Sequence, residues 1–443
     1  MSIYYMKRTC LYFAIKPIGH RFFVALSFFI VGLCVASPLN AQISTDSEQV
    51  LSEQEAVRRA LERPALNDLW AAQIKSDEAA ALRAQARSNP IFEYSREQAF
   101  EEPETLAEDY LILEQALPIS GNRGLRAEAA RTRARATQLE THADARKIAT
   151  RVRHLFYRVL ALQQRVEMRS AWIEQMREVE QKLVQRAQAG ESAPYDVERL
   201  RREIADVRAD AASERAELAG ARAQLAGLVG IDSAQNTLRV EGELLPAKLP
   251  DDEALRRAVA GRPELAAASE RGAAAQLSID AASRWWIPEL ILRGGYKSVD
   301  VGTQRFHGFV AGVALDIPLF DRAAGERMEA EAALVSAKSR RALLKQQIQA
   351  DASEASSKVR MLSAAADTYR TAGVERAQKN ATLAQQSYDA GEVGILELID
   401  AYHGVVGSRL RLQEMAAEAR HHQIELEQNF ELLNDKISQH EGE

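Results

Sequence analysis

Cysteine is nearly absent from this chain of 443 residues, which carries only Cys10 and Cys34. Residues 42–443 can therefore form no disulfide and offer no thiolate to a metal. Aromatic residues make up only 6%, and the counts of 23 glycines and 12 prolines exclude collagen-like and low-complexity chains. Multiple long apolar runs are lacking, which excludes a polytopic helical membrane protein. A net charge of −6 gives no reason to expect a nucleic-acid partner.

Motifs for cofactors and metals are lacking as well. Gly294-Gly295 lies in a strand-like pattern rather than before a helix, so we predict no nucleotide site. The histidines show no metal-ligand spacing, and adjacent residues cannot share one helix face. We therefore predict that they occupy exposed polar positions and that no cofactor or metal is bound. These histidines are His142, His154, His307, His403, His421, His422 and His440.

The N-terminal segment has the layout of a secretory signal. Basic residues precede an uncharged apolar run at 22–33, and Pro38-Leu39-Asn40-Ala41 offers a site for a signal peptidase. We predict a cleaved signal peptide at 1–41 and an exported protein; a single membrane anchor is the alternative. Leu33 precedes Cys34 where a lipoprotein signal needs a small residue, so lipidation is not expected.

Short motifs occur twice along the chain at a nearly constant separation, which indicates an internal repeat. Segment 58–66 recurs at 256–265, Leu117-Pro118-Ile119 recurs as Ile317-Pro318-Leu319, and Ala189-Gly190-Glu191 recurs as Ala390-Gly391-Glu392. We predict two copies of one unit, a linker between them and a short C-terminal tail. The predicted boundaries are 48–230 and 251–436 for the units, 231–250 for the linker and 437–443 for the tail.

Both units are predicted to have the same order of elements: a helical segment, two strands, a long uninterrupted helix, a glycine break and a returning helix. At 1.5 Å per residue the long helices would each extend roughly 100 Å. Apolar spacings of three and four predict knobs-into-holes packing, and an alanine-rich seam interrupted by Arg169 and Glu180 favours a ring of helices from several chains. The helical segments are 51–87, 121–188 and 194–229, then 252–284, 321–389 and 395–435.

The four predicted strands alternate between apolar and polar residues, which is typical of a sheet with one wet face. Their lengths suit a transmembrane strand, and Trp285, Trp286 and Tyr296 could form an interfacial aromatic girdle. A small soluble sheet is the alternative. Four strands cannot close a barrel, whereas three chains would supply about twelve. The predicted strands are 91–98, 110–117, 289–299 and 306–317.

This layout resembles the TolC-like family of outer-membrane efflux channels over nearly all of the exported chain. The resemblance is carried by the duplicated helix–strand–strand–helix plan and by the break Tyr388-Asp389-Ala390-Gly391-Glu392-Val393-Gly394. The junctions Gln115-Ala116-Leu117-Pro118 and Ile317-Pro318-Leu319-Phe320-Asp321-Arg322 are similar to those of its heavy-metal branch, as is Gly121-Asn122-Arg123-Gly124.

The resemblance implies a mainly α-helical fold with a transmembrane β-barrel: a homotrimer with about twelve strands in outer-membrane lipid and a helical periplasmic tunnel. It also implies no catalysis, a periplasmic adaptor as partner and a proton-driven inner-membrane pump. The two helix tips would dock on the adaptor through Gly190, Glu191, Ser192, Gly391, Val393 and Gly394. The periplasmic entrance would be lined by Asp196, Tyr388, Glu397 and Asp400.

The tips also have a local interpretation. Gly190 suits a left-handed helix end, Ser192 is a candidate N-cap and Pro194 fits a first helical turn. Acids such as Asp196 could merely complement the helix dipole, whereas three copies of a carboxylate on one axis would attract cations. A periplasmic adaptor or a secreted structural coiled-coil protein remains the alternative function.

Overall fold

The computed structural model describes residues 49–101, 104–232, 238–245 and 259–428. The predicted signal peptide and C-terminal tail lie outside these residues, as do Cys10 and Cys34. The described part is mostly helical. In chain order it contains β1 (Gln49–Leu51), α1 (Glu53–Leu61), α2 (Pro64–Gln85), β2 (Ile91–Glu101), β3 (Glu104–Leu117), α3 (Asn122–Gln188), α4 (Pro194–Val229), β4 (Leu238–Val240), α5 (Pro263–Ala282), β5 (Glu289–Val301), β6 (Gln304–Asp316), α6 (Ala324–Tyr369), a π-helical turn (Arg370–Glu375), α7 (Arg376–Asp389) and α8 (Ile395–Glu427).

Helix α3 is a single uninterrupted helix of 67 residues, as the sequence predicted. It begins after Gly121, whose φ of 67° is left-handed. It ends at Gln188, two residues before Gly190, which is also left-handed. No proline lies within it, so nothing interrupts its backbone hydrogen bonds. At 1.5 Å per residue it extends roughly 100 Å.

The second long helical stretch is not regular throughout, which corrects the prediction of an uninterrupted helix at 321–389. A π-helical turn, Arg370–Glu375, separates α6 from α7. The Tyr369 ring lies over Gly373, and a Cβ atom on that glycine would come within 2.7 Å of the ring. A single π-helical turn inside a longer α-helix is the usual form of a π-bulge. The first helical segment, predicted at 51–87, is likewise divided by Pro64 into α1 and α2.

Among the described residues, two large apolar cores and two smaller clusters hold the long helices together. The first lies where α1, α3 and α4 meet β4, around the fully buried Phe156 and Leu225. The second lies at the far end of the helices and joins the α3–α4 hairpin to α7 and α8, around Met176, Leu200 and Leu398. Each of these leucines contributes about 1.5–3 kcal/mol by leaving water.

The four longer strands form one antiparallel sheet in the order β2-β3-β5-β6. Each strand extends past the segment predicted for it at one end. At its other end β6 stops one residue short of the prediction, at Asp316. The β3–β5 pair joins the two predicted units in one sheet, with Leu111 opposite Tyr296 and Glu114 opposite Arg293. Gly295 is needed here because a Cβ atom would lie 2.3 Å from the Leu111 carbonyl oxygen.

A second, two-stranded sheet was not predicted. The strands β1 and β4 pair in parallel, and β4 lies inside the predicted linker 231–250. The Gln163 side chain of α3 fastens this strand: its amide nitrogen donates to the Val240 carbonyl at 3.0 Å, and its oxygen accepts from the Val240 N–H at 3.1 Å. Part of the linker is therefore an ordered element held against the first core.

Candidate functional site

The two helix tips have the same backbone turn. Gly190 and Gly391 adopt left-handed conformations, with φ of 79° and 76°. The next N–H in each tip reaches back to the last helical turn: Glu191 N–H donates to the Arg186 carbonyl, and Glu392 N–H donates to the Ser387 carbonyl, both at 2.8 Å. This pattern gives hydrogen-bond donors to carbonyl groups that would otherwise be unpaired at the end of each helix. Both glycines are exposed, as are Glu191 and Gly394, so these residues are open to a partner.

Among the predicted tip residues, Ser192 lacks the role expected of it, whereas Val393 has a packing role. The N-cap of α4 is Ala193, without a side-chain hydrogen bond, so the prediction of Ser192 as N-cap is wrong. Pro194 starts that helix with its φ already fixed, and it removes one of the N–H groups that would otherwise lack a partner at the helix start. Val393 is half-buried and packs on the second core. Its apolar side chain therefore contributes to tip packing.

Tyr388 is the predicted entrance residue that is most enclosed, with 5% of its surface exposed. The Arg186 guanidinium of the other hairpin lies over its ring, 5.1 Å from the centroid. Burial raises the pKa of the Tyr388 hydroxyl above its usual value, and the nearby carboxylate of Asp196 adds to that increase. The structure thus places Tyr388 in contact with Arg186 of the first hairpin.

Glu397 and Asp400 lie apart from this contact, on the first turns of α8. Both are exposed, and they are three residues apart, so they lie on one side of the helix. Gly394 is the N-cap of this helix, and a Cβ atom on it would lie 3.1 Å from a Glu397 carboxylate oxygen. This position at the helix N-terminus also suits a carboxylate electrostatically.

The four-stranded sheet has two chemically different faces. On one face a row of apolar side chains crosses all four strands, because Tyr94, Leu111, Tyr296 and Phe309 are successive cross-strand partners. Phe309 is 94% exposed and Val313, on the same face, 68%. The row of residues next to it towards the hairpin loops is polar and contains Arg96, Asp109, Ser298 and His307. The aromatic side chains thus lie at the border of an exposed apolar band.

Four charged residues on the opposite face form two ion pairs. The Arg293 Nε atom lies 2.7 Å from the Glu114 carboxylate, and the Lys297 Nζ atom lies 2.7 Å from the Glu108 carboxylate. Both pairs connect β3 with β5 on the side away from the apolar band. An apolar face outside and a polar face inside is the pattern of strands that line an aqueous channel through lipid.

The prediction that the histidines occupy exposed polar helix positions is wrong for several of them. His422 is buried, His154 is half-buried, and His307 lies on the strand β6. The rings of His154 and His421 lie 4.1 Å apart between centroids. These two residues are far apart in sequence and lie on different helices, so no local spacing could have indicated the contact.

Comparison with known proteins agrees with this architecture. Residues 254–429 match the family described as "Outer membrane efflux protein". No curated protein matches the chain. Within the described residues no helix is both long and apolar enough to cross a bilayer.

Solved outer-membrane channels share this fold. The outer membrane protein VceC of Vibrio cholerae is 18% identical, with a TM-score of 0.70 over 85% of this chain and 95% of its own. CusC, whose structures concern folding and transmembrane channel formation, is 18% identical. Its TM-score is 0.67, over 85% of this chain and 91% of its own. The MtrE outer membrane channel of Neisseria gonorrhoeae, in its open state, is 16% identical. Its TM-score is 0.64, over 85% of this chain and 88% of its own.

Proposed function

We propose that this chain is one subunit of a trimeric outer-membrane channel, the exit component of a three-part efflux system. The observation that carries the proposal is the two-faced sheet: an exposed apolar band with aromatic residues at its border, and ion pairs on the opposite face. A soluble capping sheet would not expose Phe309 and Val313 to water. Lipid satisfies the apolar face, and a water-filled interior satisfies the charged one.

The sheet's edges support assembly from several copies. Among the described residues, β2 and β6 each have a partner on one side only. An open sheet edge cannot remain unpaired within lipid. The strands alternate in direction, so β6 of one copy can pair antiparallel with β2 of the next. Three copies give about twelve strands, enough to close a barrel.

The two units proposed from the repeat, 48–230 and 251–436, would then each contribute two strands and one helical hairpin to the assembly. The helices would continue the barrel into the periplasm, and the residues 1–41 would direct export. Periplasmic adaptor docking at both helix tips and a proton-driven inner-membrane pump complete the proposed system. Heavy-metal cations are the proposed substrate class, on the basis of the junction motifs 115–118 and 317–322.

A disulfide between the edge strands tests the assembly directly, because residues 42–443 contain no cysteine. Within one chain β2 and β6 are separated by three strand spacings, about 14 Å. That distance is too long for a disulfide, whose Cα atoms lie about 4.4–6.8 Å apart. Any disulfide joining the two strands must therefore link different copies.

We would combine Ser95→Cys on β2 with a cysteine on β6 at Gly308, Val310 or Gly312. All four positions lie on the ion-paired face, and the series samples the register between copies. The expected result is covalent dimers and trimers in outer-membrane fractions from at least one pair, with each single-cysteine variant as control. Recovery of the protein as a monomer in the soluble periplasm would contradict the proposal and favour an adaptor or a structural coiled-coil protein.

A further inference from the structure

Two histidines and a glutamate from different helices meet near the middle of α3. His154 lies on α3, and His421 and Glu425 lie one turn apart on α8. One possible ligand atom from each of the three residues lies within 4.8 Å of the other two. The residues at 421 and 425 project from one face of their helix, towards α3. This cluster is distant in sequence from the helix tips and from the strands.

His154 has an unsatisfied polar atom at this place. Its Nδ1 atom is buried and finds no hydrogen-bond partner in the part of the chain that the structure describes. Such an atom is uncommon in a folded protein and needs an explanation. A neutral imidazole has a lone pair on one ring nitrogen, so the unpaired Nδ1 atom can serve as a metal ligand.

The glutamate of the cluster is held in position by a further histidine. His422 Nδ1 lies 2.9 Å from one Glu425 oxygen, and His421 Nε2 lies 3.4 Å from the other. Contacts of this kind orient a carboxylate ligand. The exposed fractions of the His421 and Glu425 side chains are 50% and 44%, so an ion can reach them from solvent.

The surrounding charges favour a cation. Arg153, which acts electrostatically on His154, is already paired with carboxylates of Glu53 and Glu427. Lys358 of α6, which acts on Glu425, has its Nζ atom 2.7 Å from a Glu354 oxygen. These two positive charges are therefore compensated by carboxylates.

We propose that His154, His421 and Glu425 form a binding site for a divalent transition-metal ion of the zinc class, which joins α8 to α3. Two imidazoles and one carboxylate are a ligand set that zinc accepts, with water in a fourth position. In a tetrahedral zinc site the ligand atoms lie roughly 3.3 Å apart. The observed spacing of up to 4.8 Å is wider than this value, so binding requires the exposed His421 and Glu425 side chains to rotate towards the ion. The site does not depend on the channel function proposed above.

Zinc binding to the purified full-length chain in detergent tests the site. Equilibrium dialysis with Zn²⁺ measures affinity and stoichiometry, and the visible absorption of Co²⁺ reports tetrahedral coordination. We expect one zinc ion per chain, and at least about tenfold weaker binding in His421→Gln and in Glu425→Gln. His142→Gln removes an exposed histidine of α3 outside the cluster and should bind zinc as the original chain does.

The original chain alone provides a second measurement that needs no variant. Chelation should lower its Tm, and added zinc should restore it, because an ion bound only by the folded state stabilises that state. No zinc binding by the original chain would overturn the proposal. Equal binding by the original chain, His421→Gln and Glu425→Gln would overturn it too. Circular dichroism and size-exclusion profiles confirm that the variants are folded before affinities are compared.

Discussion

Replacing glycine by alanine should lower stability at the left-handed helix tips and raise it inside a helix. In Gly391→Ala the added methyl group meets no atom within 4 Å, so crowding contributes nothing. The cost comes from φ, which is 76° and disfavours a residue with a Cβ atom by about 1–2 kcal/mol. Gly190→Ala, at a φ of 79° and equally open, should cost the same.

The matched control is Gly404→Ala, in the interior of α8. Its added methyl group also meets nothing within 4 Å, but its backbone is helical. Alanine is favoured over glycine in a helix by about 0.5–1 kcal/mol, so this variant should be more stable. Gly391→Asn is a second control, because asparagine tolerates the left-handed conformation better than alanine does.

Native-state hydrogen exchange of the tip amides is the appropriate assay, since tip opening need not unfold the whole assembly. A cost of about 1–2 kcal/mol should reduce protection of the tip amides by a factor of roughly 5–30. Protection in Gly404→Ala should be unchanged or higher. Equal protection in Gly391→Ala and the original chain would refute the argument from φ. Weaker adaptor binding in Gly391→Ala, with retention in Gly404→Ala, would support docking at this tip.

Three further variants test the second core, the proposed entrance and a buried ion pair. Leu200→Ala should reduce the free energy of unfolding by about 2.7–5 kcal/mol, because the side chain is fully buried. Glu397→Ala combined with Asp400→Ala should weaken cation selectivity in planar bilayers, because exposed carboxylates are removed from the proposed entrance. Glu214→Ala should destabilise the α3–α4 hairpin by about 1–3 kcal/mol, since it removes the acceptor of Arg165 and leaves Arg169 with Asp210 as its acidic neighbour.

Each of these predictions has a matched control of the same residue type. Leu396→Ala removes a leucine that is 41% exposed, and Glu217→Ala removes an exposed acid of α4; both should change stability by less than about 0.5 kcal/mol. Glu418→Ala removes an exposed acid of α8 far from the tip and should leave selectivity unchanged. Unchanged selectivity in the Glu397 and Asp400 variant would contradict their role at the entrance.

Local sequence signals were sufficient for most of the long elements, although not for the π-helical turn within the second long helical stretch. Pro194 marks the start of α4, and its end at Val229 follows from Gly230, whose φ is 74°. The alternation in β6 determines which residues share a face, because strand periodicity is two. These features depend on residues close together in the chain, so they can be derived without knowing the tertiary structure.

Contacts between distant segments could not be derived in this way. Arg169 was expected to interrupt the apolar seam, but it lies close to two acids of α4: its Nη1 atom is 2.8 Å from Asp210, and its Nε atom is 2.9 Å from Glu214 without hydrogen-bond alignment. The sequence shows that a charged residue interrupts the apolar seam. Which acids lie beside it depends on how α3 and α4 are aligned, and the sequence does not show that. The short strands β1 and β4 have too few residues for a periodic signal.

The two helical hairpins share their turn but differ in the side chains around it. At a displacement of about 201 residues, Tyr388 corresponds to Ala187 and Asp400 corresponds to Arg199. The backbone turn is therefore common to both tips, whereas the buried tyrosine, with Arg186 of the other hairpin over its ring, belongs to the second hairpin alone. A contact that holds the two hairpins together at their tips has to break before they can separate. If the proposed entrance opens by such a separation, Tyr388 of the second hairpin and Arg186 of the first both restrain it.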